Sequence, residues 1–333
     1  MSILVMKFGG TSVANFDRIN KISDFIKKTI KLKKKKIVLI VSAMSGVTNK
    51  LISQYSVLEK DCRDPEYDAI ISTGEQYSAA ILSLLIKKKK LKSRSWLSWQ
   101  IPILTDSNHS RSRIEKINSK FIKDQLKIYD VLVIAGFQGI NNNNQITTLG
   151  RGGSDTTAIA ISASLGVNKC EIFTDVEGIY TADPRIVKKA KKIKNITYEE
   201  ILEMSSLGSK VLHPRSVELA MKYGITIHVK SSFVNKPGTV VLKEERKLEK
   251  EVVTGIASSE NEAKITIKGI PDKPGIAAKI FGLLAKVNIN VDMIVQNISQ
   301  DGISANITFT ISQKDFDLTK SVIEKNHNSL KYK

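Results

Sequence analysis

The segment TTLGRGGSDTTA at 147–158 has the composition of a loop that holds anions. Its three glycines allow a sharp turn and let backbone N–H groups approach a ligand that Cβ atoms would obstruct. Ser154 and Asp155 are expected to cap a helix through the apolar residues 158–161, and the positive end of that helix favours a phosphate or carboxylate. The alternative is a glycine-rich turn that only joins a strand to a helix.

Three common nucleotide-binding patterns do not fit this chain. Asp155 stands where a dinucleotide fingerprint has its third glycine, and no G-x-x-x-x-G-K-[ST] run occurs. The H-R-D and D-F-G signatures of protein kinases are also missing from the sequence. Because none of these three patterns is present, the sequence supports neither a Rossmann site, nor a P-loop, nor a protein kinase.

A second glycine turn, Gly9-Gly10, follows the apolar run Ile3–Phe8, in which Lys7 is the penultimate residue. Open α/β sheets bind ligands at the carboxyl ends of their strands, where this turn would lie. A lysine there can neutralise a phosphoryl group during transfer while the glycine amides approach its oxygens. For the hexapeptide KFGGTS at 7–12 alone, a solvated lysine before a tight turn is the simpler interpretation.

A third dense segment, EIFTDVEGIYTADPR at 171–185, reads as a strand that runs into a polar loop. Hydrogen-bonding groups, a ring face and a fixed positive charge are supplied by Thr174, Asp175, Tyr180 and Arg185. These groups suit the ribose, adenine or phosphates of a nucleotide. Asp, Gly and Pro also form ordinary turns, so an ordinary loop stays open as the alternative.

Short β-like runs alternate with amphipathic helices over the first part of the chain, which predicts an α/β domain with a largely parallel sheet. The predicted strands are Ile3–Phe8, Ile37–Val41, Val131–Ala135, Glu171–Thr174 and Thr226–Val229. Apolar stripes at helical spacing predict helices over 16–30 and 69–86. Residues 1–242 are assigned to this domain.

A fully charged run, KEERKLEKE at 243–251, cannot belong to a core and marks a linker. With the β-like run 252–257, which lacks an obvious partner, it forms the predicted segment 243–262. Residues 263–333 then have a different order, predicted as strand 263–268, helix 274–286, strands 289–296 and 304–311, and helix 315–326. This βαββα pattern is one strand short of a ferredoxin-like unit.

Composition narrows the class of protein. The chain has 333 residues, 41% of them hydrophobic, which suits two globular domains. No transmembrane run or signal-peptide core is expected, and two isolated cysteines fit a reducing compartment, so the predicted location is cytoplasmic. The net charge of +19 lies largely in lysine runs without aromatic stacking platforms, so neither nucleic acid nor a membrane is predicted as a partner.

Taken together, the motifs resemble those of the aspartokinases in order and spacing over nearly the whole chain. They are KFGGTSV at 7–13, SAM at 42–44, TGE at 73–75, AGFQG at 135–139, TTLGRGGSDTTA at 147–158, TDVEGIYTADPR at 174–185 and SKVLHPRSVELA at 209–220. The resemblance implies the amino-acid kinase fold and transfer of the γ-phosphoryl group of MgATP to the β-carboxylate of L-aspartate. The product, 4-phospho-L-aspartate, opens lysine, threonine and methionine synthesis.

The resemblance also implies roles for individual residues. Lys7 and Lys210 would offset the charge of the transferring group, and Asp155 would organise them. Aspartate would be bound by Thr48, Glu75, Arg151 and Ser154, with Glu75 on its ammonium and Arg151 on a carboxylate. The nucleotide would contact Lys7, Phe8, Gly9, Gly10, Thr174, Asp175, Tyr180, Arg185 and Lys210.

Some of these positions have simpler interpretations. Glu75 could instead be a helix-capping carboxylate, and His213 is expected to support its loop structurally rather than to react. Gln76 departs from the basic residue that many members of the family carry. Magnesium is expected to be held mostly through ATP oxygens and water, so no protein metal site is predicted.

The second unit resembles an ACT domain, a module that binds amino-acid effectors such as lysine or threonine. Its marks are DKPG at 272–275 and NVDMIVQN at 290–297. Asp272, Gln296 and Asn297 are candidate effector contacts, although Asp272 could be a helix-start residue and Gln296 a polar strand end. Aspartokinases of this type have two ACT units, and this chain is expected to lack the second and to end before the first is complete.

Two consequences of that short region are open. In the first, feedback control is reduced; in the second, a partner chain supplies the rest. A homodimer is predicted because exposed strand edges need a neighbour. Two other functions also stay open. One is a different amino-acid kinase of the same fold, acting on glutamate or a carbamoyl-type substrate. The other is a non-catalytic amino-acid sensor subunit.

Overall fold

The computed structural model describes residues 2–59, 61–208, 211–243, 253–259, 261–287, 289–298, 304–330 and 332. The chain divides into two compact units, Met1–Ala257 and Ser258–Lys333. This division falls inside the segment 243–262 that the sequence assigns to the linker. Positions 244–252 of that segment lie outside the described residues.

The first unit alternates strands and helices. Its strands are β1 (Ile3–Phe8), β2 (Lys36–Val41), β3 (Ser93–Trp96), β4 (Ile103–Thr105), β5 (Ile114–Ile117), β6 (Val131–Ala135), β7 (Gln138–Ile140), β8 (Ile146–Thr148), β9 (Lys169–Thr174), β10 (Asn195–Thr197), β11 (Thr226–Ser231) and β12 (Thr239–Leu242). Its helices are α1 (Phe16–Lys33), α2 (Val47–Leu58), α3 (Pro65–Lys88), α4 (Ser119–Ile128), α5 (Gly153–Leu165), α6 (Tyr198–Ser206) and α7 (Pro214–Tyr223).

The central sheet has eight strands in the order β10-β12-β11-β9-β1-β2-β6-β3. Neighbouring strands from β11 to β3 run parallel, and β12 pairs antiparallel with β11. Strands β2 and β6 are almost continuous apolar runs because helices cover both of their faces. This arrangement confirms the predicted α/β class, with a mostly parallel sheet between helices.

Two hydrophobic clusters occupy the two faces of this sheet. On one face, Met6 and Leu39 pack with α1 and α3. On the other face, Val5 and Ile40 pack with α4, α5, α6 and α7. Consecutive residues of a strand thus enter opposite clusters, as the alternation of side chains in a strand requires.

Helix α3 is long and apolar enough to cross a membrane by length and composition alone, which the sequence analysis did not expect. Half of its most apolar window is buried within the unit, where it packs against α1, β3 and β6. It also contacts a small second sheet in the order β5-β4-β7-β8. Helix α3 therefore lies where a core helix does and connects the two sheets.

The second unit has β13 (Glu262–Pro271), α8 (Ile276–Lys286), β14 (Val291–Ile298), β15 (Ser304–Ser312), α9 (Phe316–Lys325) and α10 (His327–Leu330). Its antiparallel sheet has the order β13-β15-β14. Phe309 on β15 lies at the centre of its core with Ile280 and Leu284 of α8. The βαββα order predicted from the sequence is confirmed.

The predicted strand 252–257 is wrong for the described residues 253–257, which are not in a strand. They instead pack on the first unit as an irregular segment. The Thr254 hydroxyl donates to Oε1 of Glu200 at 2.7 Å, and the Ile256 N–H donates to the Thr181 carbonyl at 2.7 Å. The polar groups of this segment thus form hydrogen bonds with Glu200 and Thr181 of the first unit, whereas the sequence pattern predicted a strand.

Candidate active site

The carboxyl ends of five strands meet at one edge of the central sheet. Phe8 ends β1 opposite Val41 of β2 and Phe173 of β9, and β6 and β11 end at the same level. The loops that follow these strands therefore converge, although they are far apart in the sequence. This is the edge at which open α/β sheets bind ligands.

Lys7 and Asp155 form a buried ion pair at this edge. Nζ of Lys7 lies 2.6 Å from Oδ1 of Asp155, and each side chain is 11% exposed. The lysine comes from β1 and the aspartate from the first turn of α5, so tertiary packing brings together residues that are 148 positions apart. The Lys7 ammonium also lies beside Gly9, in the turn after β1.

The glycine-rich loop leads into α5 without a side-chain cap. Gly152 is the N-cap residue in the left-handed conformation, with φ 68°, so the prediction that Ser154 and Asp155 cap the helix is wrong. Both lie inside its first turn. An added Cβ on Gly152 would lie 2.2 Å from Cβ of His213, the N-cap residue of α7, so only glycine fits this approach.

Glu75 lies in the middle of α3, and its side chain is almost completely buried. Asp64 is the N-cap of that helix, which excludes the capping interpretation of Glu75. Oε1 accepts a hydrogen bond from the Ala43 N–H at 3.0 Å, and Oε2 has no hydrogen-bond partner among the described residues. Burial raises the pKa of Glu75 to about 7, against the opposing effects of the Ala43 N–H and the charge of Lys7.

The other predicted aspartate-binding residues differ in burial and lie on different elements. Ser154 is buried against Gly136, directly after β6. Thr48 is half-buried in the first turn of α2, which packs on α3. The Arg151 side chain is exposed, and its charge acts on Tyr67 near the start of α3.

The predicted nucleotide residues are less tightly gathered. Thr174 ends β9 and its hydroxyl donates to Oδ1 of Asp175 at 3.0 Å. Tyr180 is half-buried and its backbone forms a bridge with Lys192. Arg185 is largely exposed and pairs with Asp183, 2.6 Å away, through Nη2.

Two further predicted residues are Phe8 and Lys210. Phe8 is buried and its ring stacks on Phe173 with centroids 4.6 Å apart, so its side chain belongs to the core and only its backbone faces the edge. Lys210, a predicted catalytic residue, lies outside the described residues.

His213 lies next to the site without a reactive partner. Its Nδ1 has no hydrogen-bond partner among the described residues, and its burial lowers its pKa. Because the ring packs against Gly152, the structure supports a structural role for it.

A polar group beside Thr174, the Ser232 hydroxyl, is not predicted from the sequence. The Ser232 hydroxyl accepts a hydrogen bond from the Ser12 hydroxyl at 2.8 Å and can donate to the Thr174 carbonyl at 3.1 Å. It joins the loops after β1, β9 and β11. A serine in a turn has no distinctive sequence signal, so only the register of the sheet shows that these residues meet.

Asp272 and Gln296 of the second unit are brought together, since Nε2 of Gln296 donates to Oδ1 of Asp272 at 3.1 Å. Both are exposed, and Asp272 does not begin the helix because Gly275 is the N-cap of α8. Asn297 follows on β14, opposite Asn306 of β15.

At this edge of the central sheet, several groups can bind an anion and one group can bind a cation. The Lys7 ammonium, the glycine amides and the start of α5 offer positive charge to phosphate oxygens. The free oxygen of Glu75 offers an acceptor to a donor group such as an ammonium. No group of three or more His, Cys, Asp or Glu that could hold a metal ion occurs in the part of the chain that the structure describes.

Comparisons with known proteins confirm the predicted amino-acid kinase fold. The model of the amino acid kinase family matches residues 2–231, and that of an ACT domain matches residues 265–326. An aspartate kinase from Pseudomonas putida is 45% identical over 325 residues, which is 97% of this chain and 79% of that protein.

Solved structures of E. coli aspartokinase III are also similar. The complex with aspartate and ADP has a TM-score of 0.81 and 25% identity, and covers 100% of this chain and 85% of that chain. The complex with lysine and aspartate has a TM-score of 0.77 and 26% identity, and covers 97% and 82%.

Proposed function

Because this chain belongs to the aspartokinases of the amino acid kinase family, we propose that the edge formed by Lys7, Glu75 and Asp155 is its active site. The chain is an aspartate kinase, and the resemblance seen in its motifs is confirmed. It transfers a phosphoryl group from ATP to L-aspartate. The observation that carries the site assignment is the buried Lys7–Asp155 pair beside a buried carboxylate with one free oxygen.

The reaction needs little acid–base chemistry from the protein. A β-carboxylate is ionised at neutral pH, so its oxygen can attack the γ-phosphorus of ATP without losing a proton. The bond from that phosphorus to the bridging oxygen breaks, and ADP leaves with the electron pair. The barrier lies in bringing two anions together, which positioning and positive charge reduce.

Lys7 is the described group best placed to supply that charge. Its ammonium lies beside the Gly9 turn, where phosphate oxygens can meet both the lysine and the backbone amides. Asp155 keeps the ammonium in place at 2.6 Å. Lys210, proposed from the family resemblance, would add a second positive charge.

Glu75 and Arg151 are proposed to select the amino-acid substrate. The free Oε2 of Glu75 can accept from the aspartate ammonium, which offsets the cost of burying a carboxylate without a partner. The exposed guanidinium of Arg151 can hold a carboxylate with two parallel hydrogen bonds. Ser154, in the first turn of α5, and Thr48, in the first turn of α2, would complete the contacts.

The nucleotide is proposed to lie along the loop after β9. Thr174, Asp175 and Tyr180 face this edge of the sheet or continue from it. Magnesium would be held mostly by ATP oxygens and water and would supply further charge neutralisation. Asp175, exposed beside the end of β9, is the described carboxylate best placed to orient such water.

The second unit is proposed to bind an amino-acid effector near Asp272 and Gln296, whose side chains already meet. One solved E. coli relative contains lysine, which makes lysine the first effector to test. A homodimer through β14 is supported by the position of this strand at the sheet edge and by the exposure of Met293, Ile294 and Val295. The need for ATP supports the proposal of a cytoplasmic location for the enzyme.

An ATP-dependent hydroxamate assay with aspartate and glutamate tests the function and the site together. We expect aspartate to be strongly preferred and Lys7→Ala to lower kcat by about 100-fold or more, since one charged transition-state contact is worth about that much. Lys21→Ala, on the exposed face of α1, is the control and should keep full activity. Equal rates with both amino acids, or an active Lys7→Ala variant, would refute the assignment.

A further inference from the structure

Two charged side chains outside the reacting centre hold the backbone beside the glycine-rich loop. Asp68 is completely buried on α3, and Arg215 is half-buried in the first turn of α7. Asp68 lies outside the motifs, and Arg215, although it lies within the motif at 209–220, has no role assigned to it above. Both form directed hydrogen bonds with backbone groups, which packing alone does not require.

Asp68 collects hydrogen bonds from two separate segments. The Ser110 N–H donates to both of its oxygens at 3.1 Å, and Nδ1 of His109 lies 2.8 Å from Oδ2. The Thr148 hydroxyl, at the end of β8, donates to Oδ1. Ser110 has a positive φ of 66°, a conformation that persists in a non-glycine residue only where its surroundings impose it.

Arg215 joins the same two segments through its guanidinium group. Its Nη1 donates to the Leu149 carbonyl at 2.7 Å, and its Nη2 donates to the Ser112 carbonyl at 2.6 Å. Between these contacts, the Ser112 N–H donates to the Thr148 carbonyl at 2.9 Å. Residues 108–112 and 148–150 are therefore fixed together as one unit.

The glycine-rich loop begins from this unit. Gly150 follows Leu149, and an added Cβ on it would lie 3.0 Å from the Ser110 carbonyl oxygen. Arg151 is the next residue, so the anchored backbone determines where its side chain starts.

The same contacts connect Arg151 to Glu75. Asp68 and Glu75 are seven residues apart on α3, about 10 Å along one face of the helix. Asp68 thus ties the backbone before Arg151 to the helix that carries Glu75. The distance between the two charged groups then depends on this tie.

We propose that Asp68 and Arg215 are positioning residues that set the separation of Arg151 and Glu75, and so select the four-carbon over the five-carbon amino dicarboxylate. This inference rests on the proposed roles of Arg151 and Glu75. One additional methylene changes hydrophobic binding only modestly, so rejection of glutamate needs charged groups at a rigid spacing. A displacement of about 1 Å is enough to cost about two orders of magnitude in rate.

The test measures steady-state kinetics of Asp68→Asn, Arg215→Met and Arg215→Lys with aspartate and glutamate. Asp68→Asn and Arg215→Met should each raise the KM for aspartate by about tenfold or more and reduce the aspartate-over-glutamate ratio of kcat/KM by a similar factor. The KM for ATP should change by less than about twofold. Arg215→Lys should be intermediate, because one ammonium replaces a guanidinium that spans two carbonyl groups.

Arg113→Met and Asp17→Asn, at exposed positions, are the matched controls and should resemble the wild type. Thr148→Val is a milder variant that removes one donor from Asp68, in case Asp68→Asn does not fold. It should raise the aspartate KM more than the ATP KM.

A merely structural role would reduce the amount of active enzyme or kcat without changing substrate preference. An unchanged aspartate-over-glutamate ratio in the folded variants would overturn the inference. Parallel increases in the two KM values would overturn it too. If the wild type itself fails to phosphorylate aspartate, the proposed function is at fault instead.

Discussion

Replacing Glu75 by glutamine should stabilise the free protein at alkaline pH while it weakens aspartate binding. The side chain is 4% exposed, and burial raises its pKa from 4.5 to about 7. A carboxyl whose pKa is raised in the folded state contributes stability below its unfolded pKa, near 4.5. That contribution is lost as the pH rises through the folded value, near 7.

The magnitude follows from the size of the shift. One pKa unit corresponds to 1.36 kcal/mol. The rise in the pKa of Glu75 from 4.5 to about 7 therefore changes the free energy of unfolding by about 3 kcal/mol when complete. Most of this change falls between pH 5 and pH 8. Glu75→Gln keeps an acceptor for the Ala43 N–H and has no charge to bury, so its gain in the free energy of unfolding over the wild type should be about 2 kcal/mol larger at pH 8 than at pH 5.

Urea unfolding of the free protein at pH 5 and pH 8, with aspartate kinetics at both values, is the assay. The variant should have a KM for aspartate at least about tenfold higher, since it loses a charged hydrogen bond to the ammonium. In the wild type, kcat/KM for aspartate should fall as the pH drops below 7. Glu115→Gln, on an exposed strand position, should show neither effect.

The reasoning fails if Glu75→Gln and the wild type have the same pH dependence of stability. An unchanged KM for aspartate in the variant would instead remove Glu75 from the substrate site. The two results are independent, so stability and binding are tested separately.

Three further substitutions test the fold around the site. Gly152→Ala should lower the free energy of unfolding by about 1–3 kcal/mol, which a thermal melt can measure. The reason is that Gly152 has φ 68° and that an added Cβ would lie 2.2 Å from Cβ of His213. Thr254→Val should cost about 1 kcal/mol in urea unfolding by removing the hydrogen bond to Glu200 at 2.7 Å. Burial alone would raise the pKa of Glu171, yet the Lys230 hydrogen bond at 3.0 Å and nearby lysine charges lower it. A lowered folded-state pKa contributes stability above the unfolded carboxyl pKa, so Lys230→Met should lower the free energy of unfolding at pH 7. This loss should shrink as the pH falls below the unfolded pKa and through the lower folded value.

Matched controls separate these causes from general effects of substitution. Gly166→Ala also places a side chain at a positive φ, 69°, but with no atom within 4 Å, so it should cost less than Gly152→Ala. Thr266→Val removes a hydroxyl contact at an exposed site. Lys236→Met breaks the exposed ion pair with Glu177 and should have little effect at any pH. If each control equals its test variant, the contacts invoked here do not carry the energy.

Strands and helices near the site could largely be predicted because their signals are local. Runs such as 131–135 and the helical stripe after Gly9-Gly10 contain enough apolar residues at one period to determine the element. Short strands were missed. Gln138–Ile140 and Ile146–Thr148 have three residues each, too few for a period to be distinguished from chance.

The helix start at Gly152 shows a different limit. Ser154 and Asp155 have the side chains of good caps, and the sequence therefore favoured them. In the structure, Gly152 takes the cap position because α7 approaches it too closely for any side chain. A steric restriction from a distant helix has no counterpart in the local pattern.

By itself, the sequence determined the fold class, the order of the two units and the residues available for chemistry, because periodicity and motifs lie within short stretches of chain. Only the tertiary structure decided that Lys7 meets Asp155, that one buried oxygen of Glu75 has no hydrogen-bond partner among the described residues, and that Asp68 and Arg215 hold the backbone before Arg151. These relations depend on strand order and helix packing. They join residues across 42 to 148 positions, a separation at which a sequence pattern carries no geometric information.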